Sequence, residues 1–175
     1  TCTYRIRAYS VVSGTAKYSA YSSAVSVKTA LSRPSVSVKV SSDLSNTVSW
    51  KKIAGASGYL VYRKTASGKW TRIATITKSS TITYQDKKIS ANTVYEYTVR
   101  AYRNVNGKRV TSSYRSSGKY KSAPARQTIT SISNAKKGLL LKWKAQKKCD
   151  GYYIYRKVGN GSYKLAATIK KGRTA

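Results

Sequence analysis

The side chains that most often perform catalysis or bind metals are scarce in this sequence. It contains no histidine, the commonest general base and metal ligand. Its four acidic residues, Asp43, Asp86, Glu96 and Asp150, are scattered over predicted turns and one strand, so no paired-carboxylate site is indicated. No serine lies in a nucleophile-elbow pattern, and no glycine-rich loop could cradle a phosphate. The sequence therefore predicts no enzyme, no cofactor and no metal site.

Positive charge is the dominant chemical feature of the chain. The 175 residues include 35 Lys and Arg against 4 Asp and Glu, a formal net charge of +31. Two interpretations stay open: a self-repelling surface that prevents edge-to-edge aggregation of a β-protein, or attraction to an anionic polymer. The candidate contacts for such a polymer lie at predicted outward strand positions and turns: Lys51, Lys52, Arg63, Lys64, Lys69, Arg72, Lys87, Lys88, Lys108 and Arg109.

The elements that must position these side chains follow a repeat of 93 residues. Residues 3–9 match 96–102, residues 58–64 match 151–157, and Trp50 matches Trp143, without a gap. The repeat divides the chain into 1–30, the C-terminal part of a first module, 31–123, a complete module, and 124–175, the N-terminal part of a third. Because the chain opens inside a strand-like run and lacks an initiator methionine, we expect a fragment or a processed product.

The complete module consists of short alternating runs separated by turn-forming residues. Asn106-Gly107 is a strong hairpin signal, and no apolar run is long enough to cross a bilayer. Seven strands in about 90 residues predict an all-β fold of tandem seven-stranded antiparallel β-sandwiches. The predicted strands are 35–40, 47–51, 58–64, 70–75, 80–84, 93–102 and 108–120.

Alternation along the sixth strand assigns its two faces. Tyr95, Tyr97 and Val99 point inward, whereas Glu96 and Arg100 point outward because they cannot be buried cheaply. The predicted core comprises Trp50, Tyr59, Val61, Tyr95, Tyr97, Val99, Trp143 and Tyr152.

Residues 89–101 resemble the fibronectin type III pattern, in which a turn and a Thr precede a Tyr and an alternating run that ends in Ala. Trp50 is similar to that family's core tryptophan on the second strand. Residues 58–64, followed by 68–70 and 73–74, resemble the variant found in surface proteins of Gram-positive bacteria. The resemblance implies tandem extracellular, secreted or cell-wall-associated modules. It also implies a tyrosine corner, in which the Tyr95 hydroxyl bonds to backbone before the sixth strand; Cys2 takes the equivalent place in the first segment.

The resemblance also bears on the two cysteines. Cys149 aligns with Ala56 at the start of the third strand, and Cys2 aligns with Tyr95 at the start of the sixth. Those strands are antiparallel neighbours in the family's sandwich, so their starts lie at opposite ends, too far apart for a disulfide within one module. Unpaired cysteines and a cross-link to another chain both stay open.

An extracellular module would most naturally meet wall teichoic acid or an acidic surface glycan, and next a host glycosaminoglycan. Nucleic acid ranks lower, although Tyr and Trp alternate with Lys and Arg in 62–64 and 69–72. In a sandwich we expect most of those aromatic residues in the core or in cross-strand pairs, and no nucleic-acid motif is present.

Three functional hypotheses follow. Short proline-containing junctions at 32–34 and 123–125 favour a structural or adhesive repeat module that forms a stiff spacer, stalk or fibre with neighbouring modules. The alternative is a binding module for anionic polymers. In a third hypothesis, the half-modules of identical chains complete each other by strand complementation into a head-to-tail fibre. Counterparts of 83–93 would then be missing, so a cut within a longer array is favoured.

Overall fold

The computed structural model describes residues 1–170; residues 171–175, at the end of the predicted third module, lie outside the described part. Residues 1–170 form strands and no helix, so they contain no helical segment capable of crossing a membrane. The strands in chain order are β1 (Cys2–Tyr4), β2 (Tyr9–Val12), β3 (Thr15–Tyr18), β4 (Val25–Val27), β5 (Val36–Val40), β6 (Asn46–Trp50), β7 (Gly58–Thr65), β8 (Thr71–Ile76), β9 (Thr83–Asp86), β10 (Val94–Val105), β11 (Lys108–Thr111), β12 (Tyr120–Lys121), β13 (Ile129–Ala135), β14 (Gly138–Trp143), β15 (Gly151–Arg156) and β16 (Lys164–Lys170).

Residues 31–123 form two antiparallel sheets. One sheet has the strand order β5-β6-β9, and the other has the order β8-β7-β10-β11, with β12 paired to the start of β10. Asn106 and Gly107 close the β10–β11 hairpin with φ values of 49° and 73°, a conformation that Asn and Gly adopt easily. Residues 31–123 therefore form the expected all-β antiparallel sandwich.

The core lies between these sheets. Tyr59, Tyr97, Val48, Val61 and Val99 are fully buried. Trp50 packs edge-on against Tyr59 with ring centroids 5.2 Å apart. Full burial of one large apolar side chain stabilises a fold by about 1.5–3 kcal/mol, so this cluster supplies the main driving force for folding.

A buried carboxylate fastens the two sheets at one end. Asp86 accepts hydrogen bonds from Arg63 Nη1 at 2.7 Å, from the Tyr97 hydroxyl at 3.1 Å and from the Lys88 backbone amide at 3.1 Å. The side chain of Asp86 is only 1% exposed. Its charge is therefore compensated by one guanidinium group and two neutral donors.

A tyrosine corner lies close to this network. The Tyr95 hydroxyl accepts a 2.9 Å hydrogen bond from the backbone amide of Ser90, five residues upstream. This is the contact that the resemblance implies. It fixes the turn that leads into β10.

Serine side chains replace a continuous last strand. The backbone amides of Ser112, Ser117 and Ser122 donate to carbonyl groups of Ala101, Tyr97 and Thr93. Each serine Oγ also accepts the amide hydrogen of the same partner residue. The prediction of one strand over 108–120 was therefore wrong, because these two-point contacts hold the segment between β11 and β12 beside β10 without a regular ladder.

Two further predictions need correction. The expected strand over 80–84 lies later, at β9, where its register against β6 brings Asp86 to Asn46. Glu96 occupies an outward position on β10, but it is 8% exposed rather than open to water. The Ser116 hydroxyl, in the segment between β11 and β12, donates to the Glu96 carboxylate at 2.7 Å. This hydrogen bond offsets part of the free energy lost when the carboxylate leaves water.

The flanking segments keep the strand pairings of the central unit. Cys2 pairs with Val27 as Tyr95 pairs with Tyr120, and Trp143 packs against Tyr152 at 5.3 Å as Trp50 packs against Tyr59. In the third segment, β13-β14 and β15-β16 meet through this aromatic pair, but Trp143 and Tyr152 stay half-buried, so the prediction that both are core residues is not met there. The strands of the first segment, β1 to β4, have no second sheet facing them among the described residues. Ile6 is 77% exposed, whereas Val99 at the same place in the repeat is fully buried, so residues 31–123 contain the one complete core of the described chain.

Candidate anionic-ligand surface

The ten basic residues singled out in the sequence all lie on the central sandwich, but they differ in exposure. Arg63 and Lys64, on β7, are half-buried. The others lie in exposed turns and strand ends: Lys51, Lys52, Lys69, Arg72, Lys87, Lys88, Lys108 and Arg109.

The Arg63 side chain lies on the inward face of β7 and reaches Asp86 between the two sheets. Besides its ion pair with Asp86, its Nη1 donates to the Lys88 carbonyl at 2.5 Å, and its guanidinium lies 5.1 Å from the centre of the Tyr95 ring. These contacts use the Nη1 amino group and turn the guanidinium toward the buried Asp86. Arg63 therefore belongs to the framework and not to the ligand-accessible surface.

Few acidic groups oppose the surface charge. Asp86 is buried, and Glu96 lies beneath the segment that follows β11, 3.4 Å from Lys64 Nζ. The Ser116 hydrogen bond, with a smaller contribution from Lys64, holds the pKa of Glu96 below its ordinary value. The exposed acids among residues 1–170 are Asp43 and Asp150. The positive potential of the central sandwich is thus almost uncompensated.

The outer face of the five-stranded sheet carries a cleft of about 120 Å³, here called the aromatic cleft. Its position follows from strand alternation: Tyr62 on β7 and Thr98 on β10 are directly paired and face away from the core. Trp70 lies just before β8, and Tyr114 lies in the segment after β11. The residues that line it are Tyr62, Trp70, Thr98, Arg100 and Tyr114.

Cationic groups lie against the rings of the aromatic cleft. Lys64 Nζ is 5.2 Å from the centre of the Trp70 ring, and the Arg100 guanidinium is 5.8 Å from the centre of the Tyr114 ring. Trp70 and Tyr114 meet edge to face at 6.1 Å. Arg100 Nε donates to the Ser112 carbonyl at 2.8 Å, which fixes the guanidinium while leaving its terminal amino groups for another partner.

Sequence reasoning did not include Arg100 and Tyr114 among the candidate contacts. The alternation along β10 placed Arg100 on the outward face, and this was the one sequence feature that could have identified it as a candidate contact. Tyr114 comes to the cleft through the irregular segment after β11, and its position depends on the serine contacts to β10. A continuous strand over 108–120 would have given no reason to group Tyr114 with Trp70.

The central sandwich also contacts both neighbouring segments. At one end, Arg103 Nη2 donates to the carbonyls of Lys28 and Thr29, at 3.2 and 2.5 Å. Leu31 is 6% exposed and joins the core directly after this contact. The first junction is therefore held by side-chain hydrogen bonds and by an apolar anchor.

The second junction lies at the other end of the sandwich. Asn92 Nδ2 and Lys121 Nζ donate to the carbonyls of Lys147 and Lys148, both at 3.3 Å. Lys121 Nζ is also 3.9 Å from Asp150 Oδ2, a weak and exposed pair. The turn before β15 thus rests on the end of the central sandwich.

No group of three potential metal-ligating acidic, histidine or cysteine residues occurs within residues 1–170. Cys2 and Cys149 are free thiols; Cys2 is exposed and Cys149 is partly exposed.

The chain matches no protein-family model and no curated protein sequence. It is similar to the solved structure of a Fn3-like protein from Clostridium thermocellum, with 29% identity over 50% of this chain and 92% of that one, and a TM-score of 0.40. It is also similar to the FN1–FN3 domains of chicken CNTN1, with 20% identity over 98% of this chain and 64% of that one, and a TM-score of 0.43. The sandwich has the fibronectin type III fold. Its strand order and continuous core carry that assignment for residues 31–123.

Proposed function

We propose that the chain is a non-catalytic structural and adhesive module of an extracellular surface protein, in which successive sandwiches follow end to end. The pair of junction contacts carries this proposal. Arg103 holds the preceding segment, and Asn92 with Lys121 holds the following one. The fibronectin type III fold, which is common in extracellular proteins, and the 93-residue repeat agree with this arrangement.

The two junctions lie at opposite ends of the central sandwich. Asn92 precedes β10 and Arg103 lies near its end, so 11 residues of extended chain separate them. At roughly 3.3 Å per residue, that separation is about 36 Å. Each module thus adds its long dimension to the array, which is the property a spacer needs.

Short junctions also limit bending. Leu31 and Pro34 are buried, so the chain enters the sandwich almost immediately after leaving the previous segment. A linker with fixed ends and few free residues has little conformational freedom. We therefore expect neighbouring sandwiches to keep their relative direction.

Small-angle X-ray scattering of the chain tests the spacer proposal. We expect the distance distribution of an elongated particle that stays the same between 0.1 and about 1 M NaCl, because the junctions use hydrogen bonds and burial more than exposed ion pairs. Arg103→Ala should shift the scattering toward a more flexible particle, whereas Arg33→Ala, also near the junction, should not. A compact or freely hinged wild-type chain would contradict the proposal.

A second function is favoured by the uncompensated basic surface. The central unit, residues 31–123, contains 18 Lys and Arg and three acids, two of which are buried. We propose that this surface docks onto an anionic polymer, with an acidic glycan or teichoic acid preferred over nucleic acid. The polymer contacts would be the eight exposed basic residues and Lys64.

Salt titration tests the docking proposal. Binding to heparin or to teichoic acid should weaken steeply with salt, because bound cationic groups release counterions from the polymer. The double variant Lys87→Gln/Lys88→Gln should reduce the salt slope, while Arg63→Gln should leave it unchanged once folding is verified. Affinity that does not change with salt, or an absence of binding at low salt, would remove this function.

A further inference from the structure

The two cation–aromatic pairs of the aromatic cleft recur, one in each flanking segment, at the 93-residue period. Arg7 and Tyr21 occupy the places of Arg100 and Tyr114, and their guanidinium and ring lie 4.8 Å apart. Lys157 and Tyr163 occupy the places of Lys64 and Trp70, at 5.6 Å. The same pairing of a cation with an aromatic ring thus recurs in each segment that contains the relevant strands. Exposed residues that contact only water do not require a cation beside an aromatic ring, so the recurrence of the pair at equivalent positions indicates a shared role.

The central sandwich is the part of the described chain in which both pairs come together. Trp70, Tyr114 and Tyr62 supply three aromatic rings within one cleft, and Lys64 and Arg100 place positive charge beside them. Tyr114 is 48% exposed, so one wall of the cleft is open to solvent. A site with apolar walls and a few fixed polar groups is the usual form of a small binding site.

Charge and size restrict the ligand. The cleft volume of about 120 Å³ equals roughly four water molecules, which suits one small ring and not a folded protein segment. Lys64 and Arg100 lie at the rings, and exposed Arg72 lies one strand further out, so an anionic group is favoured over a cation. Glu96 compensates only Lys64 in this group.

The arrangement of the rings favours a sugar over a nucleobase. A stacked base needs a flat aromatic platform, whereas Trp70 and Tyr114 meet edge to face at 72° and present no common plane. A sugar ring presents C–H groups that are attracted to aromatic π systems, and its acidic substituent can pair with the cations at the same time. Ring and charge are then recognised together.

We infer that the aromatic cleft is a binding subsite for a single acidic sugar residue, carboxylated or sulfated, within an anionic polysaccharide. This inference rests on the proposed docking function and gives it a defined location. Arg100 and Lys64 pair with the acidic substituent, and Trp70, Tyr62 and Tyr114 contact the apolar face of the ring. The surrounding basic residues add affinity that does not depend on the sugar's structure.

The test uses the full chain and four fluorescent probes: a heparin octasaccharide, a neutral dextran octasaccharide, an inorganic polyphosphate of matched charge, and oligo(dT). Fluorescence anisotropy at near-physiological salt measures each affinity. We expect the heparin octasaccharide to bind tighter than polyphosphate and oligo(dT), and dextran not to bind. Heparin and polyphosphate together separate recognition of the ring from recognition of the charge.

Variants locate the binding. Tyr114→Ala and Arg100→Gln should each weaken heparin binding on the order of tenfold, since loss of an aromatic contact or of a charged hydrogen bond has that size. The matched controls Tyr153→Ala, at a 68% exposed tyrosine outside the cleft, and Arg33→Gln, at an exposed arginine, should change it less than about twofold. Tyr114→Ala should leave polyphosphate binding unchanged.

The remaining outcomes separate the two proposals. If all polyanions bind alike and the cleft variants behave as their controls do, the subsite is overturned while the basic docking surface survives. If oligo(dT) binds tightest and depends on Tyr114, the ligand class is overturned. If no polyanion binds even at low salt, both the subsite and the docking function are overturned.

Discussion

Replacing Asp86 by Ala is the perturbation whose cost the structure defines best. Asp86 is 1% exposed and accepts hydrogen bonds from Arg63, Tyr97 and Lys88. Breaking a buried ion pair by removing one partner costs about 3–5 kcal/mol, because the other charge is left uncompensated. The Arg63 side chain is 23% exposed, so water restores part of its solvation. We therefore expect a loss of about 3 kcal/mol in the free energy of unfolding.

Urea denaturation measures this loss without the salt effect of guanidinium. Trp50, which is 4% exposed in the core, reports unfolding through its fluorescence, and circular dichroism provides a second probe. With a urea m value of about 1.5 kcal/mol/M, a loss of about 3 kcal/mol lowers the midpoint by about 2 M. Asp150→Ala is the matched control, because that side chain is 93% exposed, and it should change stability by less than about 0.5 kcal/mol.

A double-mutant cycle tests whether the cost arises from the ion pair. Arg63→Ala/Asp86→Ala should be less destabilising than the sum of the two single changes, because no unpaired charge remains. A midpoint shift for Asp86→Ala no larger than that for Asp150→Ala would refute the reasoning. It would also return Arg63 to the set of basic residues available to a ligand.

Three further predictions concern the same sandwich. Burial raises the pKa of Tyr97 above its ordinary value near 10. The folded state therefore keeps Tyr97 protonated at a pH at which the unfolded chain loses that proton, and the resulting stabilisation is complete below pH 10. The unfolding free energy should decrease as the pH rises above about 10, and Tyr97→Phe should flatten this decrease in urea titrations. The Ser116 hydroxyl is the chief cause of the lowered pKa of Glu96. The ionised carboxylate therefore stabilises the fold fully above its ordinary pKa near 4.5. This stabilisation is lost as the pH falls through the lower pKa of the folded state. Ser116→Ala should reduce the loss of stability between about pH 5 and pH 3, and an unchanged acid profile would contradict this cause. A Cβ at Gly58 would overlap the carbonyl oxygen of Ile76, so Gly58→Ala should lower thermal stability by an amount equivalent to about 1–3 kcal/mol, while Ser57→Ala should not.

Periodicity predicted the core face of the central sandwich well, because the inward-facing residues of β6 and β10 recur at every second position. Tyr95, Tyr97 and Val99 lie on one face of β10 and are buried, as period-2 spacing requires. The Asn106-Gly107 turn was visible in the sequence because few other residue pairs adopt two successive positive φ values. Local rules of this kind depend on neighbours in the chain, and the sequence shows those directly.

The parts that sequence reasoning missed depend on contacts between distant residues. The break in the last strand arises where Ser112 and Ser117 bond to β10 through both backbone and side chain, and serine has no strong preference that would reveal it. The same break buries Glu96 and brings Tyr114 beside Trp70. The aromatic cleft could not be recognised without that path of the chain.

Exposure of the basic residues was predicted as a class and not residue by residue. Lys87 and Lys88 are exposed in a turn, but Arg63 is turned toward Asp86. The difference follows from alternation along β7, which places Arg63 on the same side as Tyr59 and Val61. An inward position for arginine needs a buried acid, and the register between β6 and β9 supplies one.

The two natural cysteines allow the central claim to be measured directly. Cys2 lies in the first segment and Cys149 in the third, so a distance between labels on the two thiols spans both junctions of the central sandwich. Pulsed electron paramagnetic resonance on the doubly spin-labelled chain gives the distribution of that distance. If the sandwiches follow end to end through fixed junctions, the distribution is one narrow peak, and Arg103→Ala broadens it while Arg33→Ala does not. A broad wild-type distribution that Arg103→Ala leaves unchanged would contradict the account.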